Sequence, residues 1–186
     1  EEIRLMLGRC LKLVAAMAVG AVLSGCAGTA PETAALTTEQ AQNFTVQRTE
    51  IDVSAIPEGS DGRKVSNSAI KAALEADAKY VTWRAGKTQA IVSIKVTSVN
   101  ILSAGQSFLV GGESMMRGTV ALLDARSGKE IVAPIDITSG GGGYKPGGLI
   151  GVMSMEDPET ELKQLAQQFM TRARLALTGP SATAQK

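Results

Sequence analysis

Histidine is missing altogether from this 186-residue chain, and cysteine occurs only twice. The first absence removes the side chain that most often moves protons near neutral pH or ligates a transition metal. Cys10 and Cys26 both precede residue 27, so no disulfide can staple residues 27–186, and stability there has to come from packing. Aromatics are also few: Phe44, Tyr80, Trp83, Phe108, Tyr144 and Phe169 complete the set, leaving Val, Ile, Leu, Ala and Met to build the core. Charge of one sign is lacking as well. Of 19 Lys+Arg and 18 Asp+Glu, three bases and two acids fall before residue 27, leaving 16 of each beyond it. A neutral domain has no clustered basic field to displace phosphate counterions, which argues against nucleic-acid binding.

One long apolar run stands out. Arg4, Arg9 and Lys12 precede Leu13–Leu23, an uncharged stretch too short for a comfortable membrane-spanning helix, and Ser24-Gly25 then lead into Cys26. Positive, apolar and small, in that order, is the pattern of an export signal. Glu1 stands where an initiator Met is expected, and Met6 is read as opening a leader of ordinary length.

Leu23-Ser24-Gly25-Cys26 resembles the lipobox of bacterial lipoproteins. The resemblance implies that the Cys26 thiol carries a diacylglyceryl thioether and that cleavage falls between Gly25 and Cys26. Only a thiolate is nucleophilic enough to accept the lipid, and small neighbours open the backbone to a peptidase. Acyl chains anchor at about 0.8 kcal/mol per buried CH₂. Ala27 stands where an Asp would imply retention at the inner membrane, so the resemblance implies a cell-envelope protein on the outer membrane, facing the periplasm.

The expected organisation is a signal peptide over 1–25, the lipidated Cys26 with a flexible tether over 26–43, a domain over 44–179, and a disordered tail over 180–186. Phe44–Val53 alternates with a change of phase near Arg48-Thr49, which predicts a strand with a bulge. Ser66 is placed to cap a helix, with Val65 and Ile70 as its hydrophobic staple. Val92, Ile94 and Val96 alternate with Ser93, Lys95 and Thr97, and Met116–Leu123 forms a further strand. Asp124–Lys129 reads as a hairpin loop with Gly128 at positive φ. Ile131–Ile137 returns as a strand whose Pro134 calls for an edge or a bulge. Asp157 and Pro158 open a helix striped by Leu162, Leu165, Phe169 and Ala173, which Gly179-Pro180 stop. The predicted fold class is α+β: a single sheet of about four strands in βαβββα order with two helices packed on it.

The most unusual segment is Gly140-Gly141-Gly142-Gly143-Tyr144-Lys145, continued by Pro146-Gly147-Gly148. Bare glycine amides can cradle an anion, but the spacing fits no phosphate motif. A flexible partner-binding loop is the favoured reading, with Tyr144 and Lys145 as its binding side chains. Trp83 is expected to cap the edge of the core, against an exposed binding role for Trp83-Arg84. Met115, Met116, Met153 and Met155 are expected to fill gaps, or else to line an adaptable apolar groove. Catalysis has little to stand on: Ser93 and Ser139 have no recognisable base, and Glu113, Asp124 and Asp136 have no evident pairing. No metal loop and no cofactor motif is present.

Ala69–Leu74, then Gly118–Ala125 with Ser127-Gly128, is similar to a helix, strand and "G-x-V-x-L-x-D-x-x-[ST]-G" hairpin pattern of small envelope lipoproteins. In element order the domain also resembles the α/β domains of curli-secretion and penicillin-binding-protein-activator lipoproteins. The resemblance carries over no functional residue. Together these readings point to a non-enzymatic envelope lipoprotein that binds or scaffolds another envelope protein. The alternatives are a small-ligand or anion-binding module built on Gly140–Gly148, and a carboxylate-dependent cell-wall hydrolase.

Overall fold

The computed structural model describes residues 33–57 and 65–180. The leader, Gly25, Cys26 and the tail after Pro180 lie outside the described residues. Alternation sets the sheet. Val92, Ile94 and Val96 are all fully buried on one face of β3 (Thr88–Asn100), while Lys95 and Thr97 on the other are exposed. β4 (Gly112–Asp124) pairs antiparallel with β3, and β5 (Glu130–Lys145) pairs antiparallel with β4 through the Asp124–Lys129 turn. Gly128 in that turn has φ +69°, and the Asp124 carboxylate accepts from the amides of Arg126 and Ser127, as the turn chemistry predicts.

β1 (Phe44–Asp52) lies parallel to β3, which requires a crossover, supplied by α2 (Asn67–Ala76). Its register slips between Val46 and Arg48, the expected bulge. Ser66 caps α2 by accepting from the Ala69 amide, and Val65 and Ile70 are both buried. A 3₁₀ turn (Ala78–Val81) leads into β2 (Trp83–Arg84), a two-residue strand on the outer edge of β1. The sheet therefore has five strands in the order β2-β1-β3-β4-β5, one more than the sequence suggested. Pro134 lies in the edge strand and at a register shift, so no ladder bond loses its donor.

The long helix α5 (Pro158–Thr178) lies across the apolar face, with Leu165, Phe169, Met170, Ala173 and Leu177 fully buried against Ile94, Met116, Val120 and Leu122. Asp157 caps it by accepting from the Glu159 and Thr160 amides, with Pro158 in its first turn. Gly179, at φ +69°, ends it.

Three short helices complete the fold, so the expected pair becomes five α-helices among the described residues. α1 (Thr38–Ala41) is held by a capping box between Thr37 and Gln40. Its presence corrects the tether. The Ala35 and Leu36 amides donate to the Ala176 and Leu177 carbonyls at 2.8 and 2.9 Å, and Leu36 and Ala41 are buried. Residues 35–43 thus belong to the folded domain, because they satisfy carbonyls that α5 would otherwise leave open at its C-terminus. The other two, α3 (Ala104–Val110) and α4 (Leu149–Met153), flank the far ends of β4 and β5.

Candidate functional site

The glycine-rich segment is a strand, not a loop. Gly140 and Gly141 stand opposite Met115 and Ser114, and Lys145 opposite Gly112, with a register shift between them that takes up Gly142, Gly143 and Tyr144. The reason is steric. Gly141 faces α5, where an added Cβ would come within 2.7 Å of Leu165 Cγ and 2.8 Å of Cδ2. Ser139, fully buried on the same strand, donates its hydroxyl to the Leu165 carbonyl at 3.3 Å. Small side chains let the helix approach the sheet here. Gly140 points to the other face, where a Cβ would land on the Glu113 carboxylate. A carboxylate in that position repels the anion that a glycine cradle would be built to hold.

Beyond Lys145 the chemistry changes. α3 is capped by Ser103, whose hydroxyl accepts from the Gln106 amide while the Gln106 side chain accepts from the Ser103 amide. α4 opens at Gly148, whose amide donates to the Phe108 carbonyl at 2.8 Å and whose φ is +85°. The two helices meet through small residues. A Cβ on Gly151 would collide with the Pro146 carbonyl and reach 2.8 Å from Ser107 Oγ, and one on Gly147 would touch the Val110 and Phe108 backbone. Tyr144 Oη donates to the Val110 carbonyl at 3.4 Å, which ties the end of β5 to α3.

With small residues inside, the large ones face out. Phe108 is 50% exposed, Leu109 77%, Val110 73%, Leu149 71%, Ile150 75% and Met153 86%, and Tyr144 beside them 69%. Ser107 is the reverse case: it is fully buried and its hydroxyl has no hydrogen-bond partner. A helix pair that buries a hydroxyl and exposes six large apolar side chains is inside out relative to one that faces water. A cleft of about 160 Å³ at its root is lined by Leu102, Ala104, Val152, Met155 and Glu156.

Of the residues expected to bind, Tyr144 and Lys145 sit beside this surface, while Gly140 and Gly141 lie in the ladder beneath α5. Gly142 and Gly143 continue the same strand. The sequence reading missed Phe108, Leu109, Val110, Leu149 and Ile150. The signal was present in Ser103-x-x-Gln106, a capping-box pattern running straight into three large apolar residues.

The other candidates have structural roles. Trp83 donates its indole N–H to the Ala41 carbonyl at 3.0 Å, and its ring lies 4.3 Å from the buried Arg174 guanidinium. It closes the edge of the core, as expected. Met116 fills the core, whereas Met153 is exposed on α4. Asp124 and Asp157 both titrate below the ordinary aspartate range. Hydrogen bonds from Ser127 hold Asp124 down, and bonds from Thr160 hold Asp157 down, so each is a turn or cap carboxylate. A groove of about 960 Å³ between α2 and α5 is lined chiefly by Val65, Ala69, Ala73, Pro158 and Leu162. Among the described residues no three Cys, Asp or Glu side chains gather to hold a metal, and no helix is long and apolar enough to cross a membrane.

No family model matches the chain, and no curated protein does. Solved structures do. A DUF330 protein from Xanthomonas campestris is 12% identical, with 75% of this chain and 88% of that one covered and a TM-score of 0.41. A PelC dodecamer from Paraburkholderia phytofirmans is also 12% identical, with 71% and 89% covered and a TM-score of 0.35. A candidate lipoprotein from Caulobacter crescentus is 14% identical, with 68% and 85% covered and a TM-score of 0.31. The neighbours thus include a candidate lipoprotein, but likeness of this degree carries no argument about activity.

Proposed function

We propose that this chain is an outer-membrane lipoprotein, anchored through Cys26 and facing the periplasm, that works as a non-enzymatic docking module of the cell envelope. The observation that carries the docking role is the α3–α4 surface, whose six large apolar side chains are 50–86% exposed around a small-residue interior. Contiguous apolar surface of this kind is the usual mark of an interaction site.

The start of the described chain and this surface lie at opposite ends of α5. Residues 34–36 meet the C-terminal end of that helix, while α4 precedes its first turn. Cys26 and Ala34 are eight residues apart, a reach of about 28 Å at full extension. The 21 residues of α5 alone span about 30 Å. Standing upright on that anchor, the molecule would present its apolar end to a protein rather than to lipid.

Two measurements test the proposal. Metabolic labelling with an alkyne fatty acid should mark the wild type and leave Cys26→Ser unmarked; label on the mutant would refute the anchor. A photocrosslinking residue at Leu109 or Ile150 should give discrete protein adducts in cells, and one at the exposed Lys129 turn should not. Adducts to lipid alone, or equal adducts at all three positions, would refute docking.

A further inference from the structure

We infer that the α3–α4 surface receives an apolar protein segment flanked by Lys or Arg, an inference that rests on the docking role proposed above. The charges around the surface select this partner. Residues 101–116 and 140–160, which build this end of the molecule, hold Lys145 alone against Glu113, Glu156, Asp157 and Glu159. The next bases, Arg117 and Lys163, lie farther along β4 and α5. Glu156 lines the cleft at the root of α3 and α4. Glu113 lies over Gly140, three residues from Val110.

An apolar centre with an acidic rim discriminates among occupants. A second copy meeting this surface through a two-fold axis would set the acids of one rim against those of the other, and juxtaposed like charges disfavour association. An anionic lipid surface would meet the same repulsion. A segment with apolar anchors and basic flanks satisfies both parts of the surface. The anchors would cover Leu109, Val110, Ile150 and Met153, and the flanks would face Glu113 and Glu156.

The test uses the mature lipoprotein in neutral-lipid nanodiscs, with empty discs as the blank. Two labelled amphipathic peptides share a Leu face and differ only in Lys or Glu flanks. The Lys-flanked peptide should bind about tenfold tighter by anisotropy, and the preference should collapse at 1 M salt, where the Debye length is about 3 Å. Glu113→Gln with Glu156→Gln should bring the two affinities together. Leu109→Asp should abolish binding of both peptides without moving the melting temperature, since Leu109 is on the surface.

Equal affinities in the wild type, or a preference for the Glu-flanked peptide, would overturn the inference. So would concentration-dependent dimers in sedimentation, or quenching of Ile150→Trp emission by brominated lipid. If crosslinks to protein at Leu109 and Ile150 persist while the charge preference fails, docking stands and only the partner's chemistry falls. If the crosslinks fail too, both fall.

Discussion

Replacing Gly141 with Ala should destabilise the fold, although the change adds only one methyl group to a strand. The new Cβ would sit 2.7 Å from Leu165 Cγ and 2.8 Å from its Cδ2. Leu165 is fully buried among Met116, Phe169 and their neighbours, so it cannot swing into solvent. Relief requires α5 to lift from the sheet or Leu165 to leave its rotamer, and overpacking of this sort costs about 1–3 kcal/mol. Against that stands a gain of about 0.4–1 kcal/mol, because Ala has fewer unfolded conformations than Gly and Gly141 is not at positive φ. The net loss then centres on about 1.3 kcal/mol, within a span of about 0–2.6, or about 3–5 °C in melting temperature at its centre for a domain of this size.

Gly140→Ala is the control. Its Cβ meets only the end of the Glu113 side chain, which is half-exposed and free to turn aside, so melting should hold or rise slightly. Thermal melts by far-UV circular dichroism and urea midpoints at constant slope read the difference. Equal behaviour of the two variants would refute the packing account of this segment and restore the mobile loop.

Ser107→Ala should leave stability unchanged or raise it by up to about 1 kcal/mol, since it removes a buried hydroxyl with no partner. A loss larger than that in a urea titration would mean that the hydroxyl is bonded and that the α3–α4 contact is misread. Asp157→Ala should lower the melting temperature at neutral pH. Because Thr160 holds the folded carboxyl below its ordinary value of 3.8, the contribution of the cap is complete above that value and fades as pH falls through the lowered one. The two melting curves should therefore converge in acid, and a gap that stays constant with pH would refute the cap.

Where sequence and structure agree, a local rule and a tertiary demand coincide. Ser66, Asp157-Pro158 and Gly128 each have one conformation that their own chemistry favours, and the fold uses it. Alternation in β3 and β4 was legible because one face is buried and the other solvated. β2 was not, since a two-residue strand has no period. α1, α3 and α4 span four, seven and five residues, too few for a helical stripe to emerge. The tether was misread because Ala, Thr and Gln are taken as linker composition, whereas Leu36 and Ala41 are core residues that nothing in a short window marks as buried. The docking surface was invisible for the opposite reason. Large apolar residues in a window are read as core, and only the packed structure shows which of them stay outside.

Glycine carries two different physical meanings along Ser139–Gly151, and the change falls near Lys145. Up to that point a missing side chain closes a gap: Gly141 and Ser139 let α5 descend onto the sheet, and the ladder to β4 takes up their backbone. After it, Gly147 and Gly151 occupy the contact between α3 and α4, and at Gly151 there is no room for anything larger. A helix whose inner face is filled by glycine and serine has to place Leu149, Ile150 and Met153 elsewhere, and solvent is what remains. Each of those side chains forgoes about 1.5–3 kcal/mol of burial, which makes a surface adapted to be covered. The first use of glycine builds the domain and predicts a stability loss on substitution. The second builds its outer face and predicts that binding is lost while the domain survives. A Gly151→Ala variant that keeps the far-UV spectrum of the folded sheet yet no longer crosslinks through Ile150 would separate the two, because the Pro146 carbonyl and Ser107 hydroxyl that its Cβ strikes belong to the α3–α4 contact and not to the packing of α5 on the sheet.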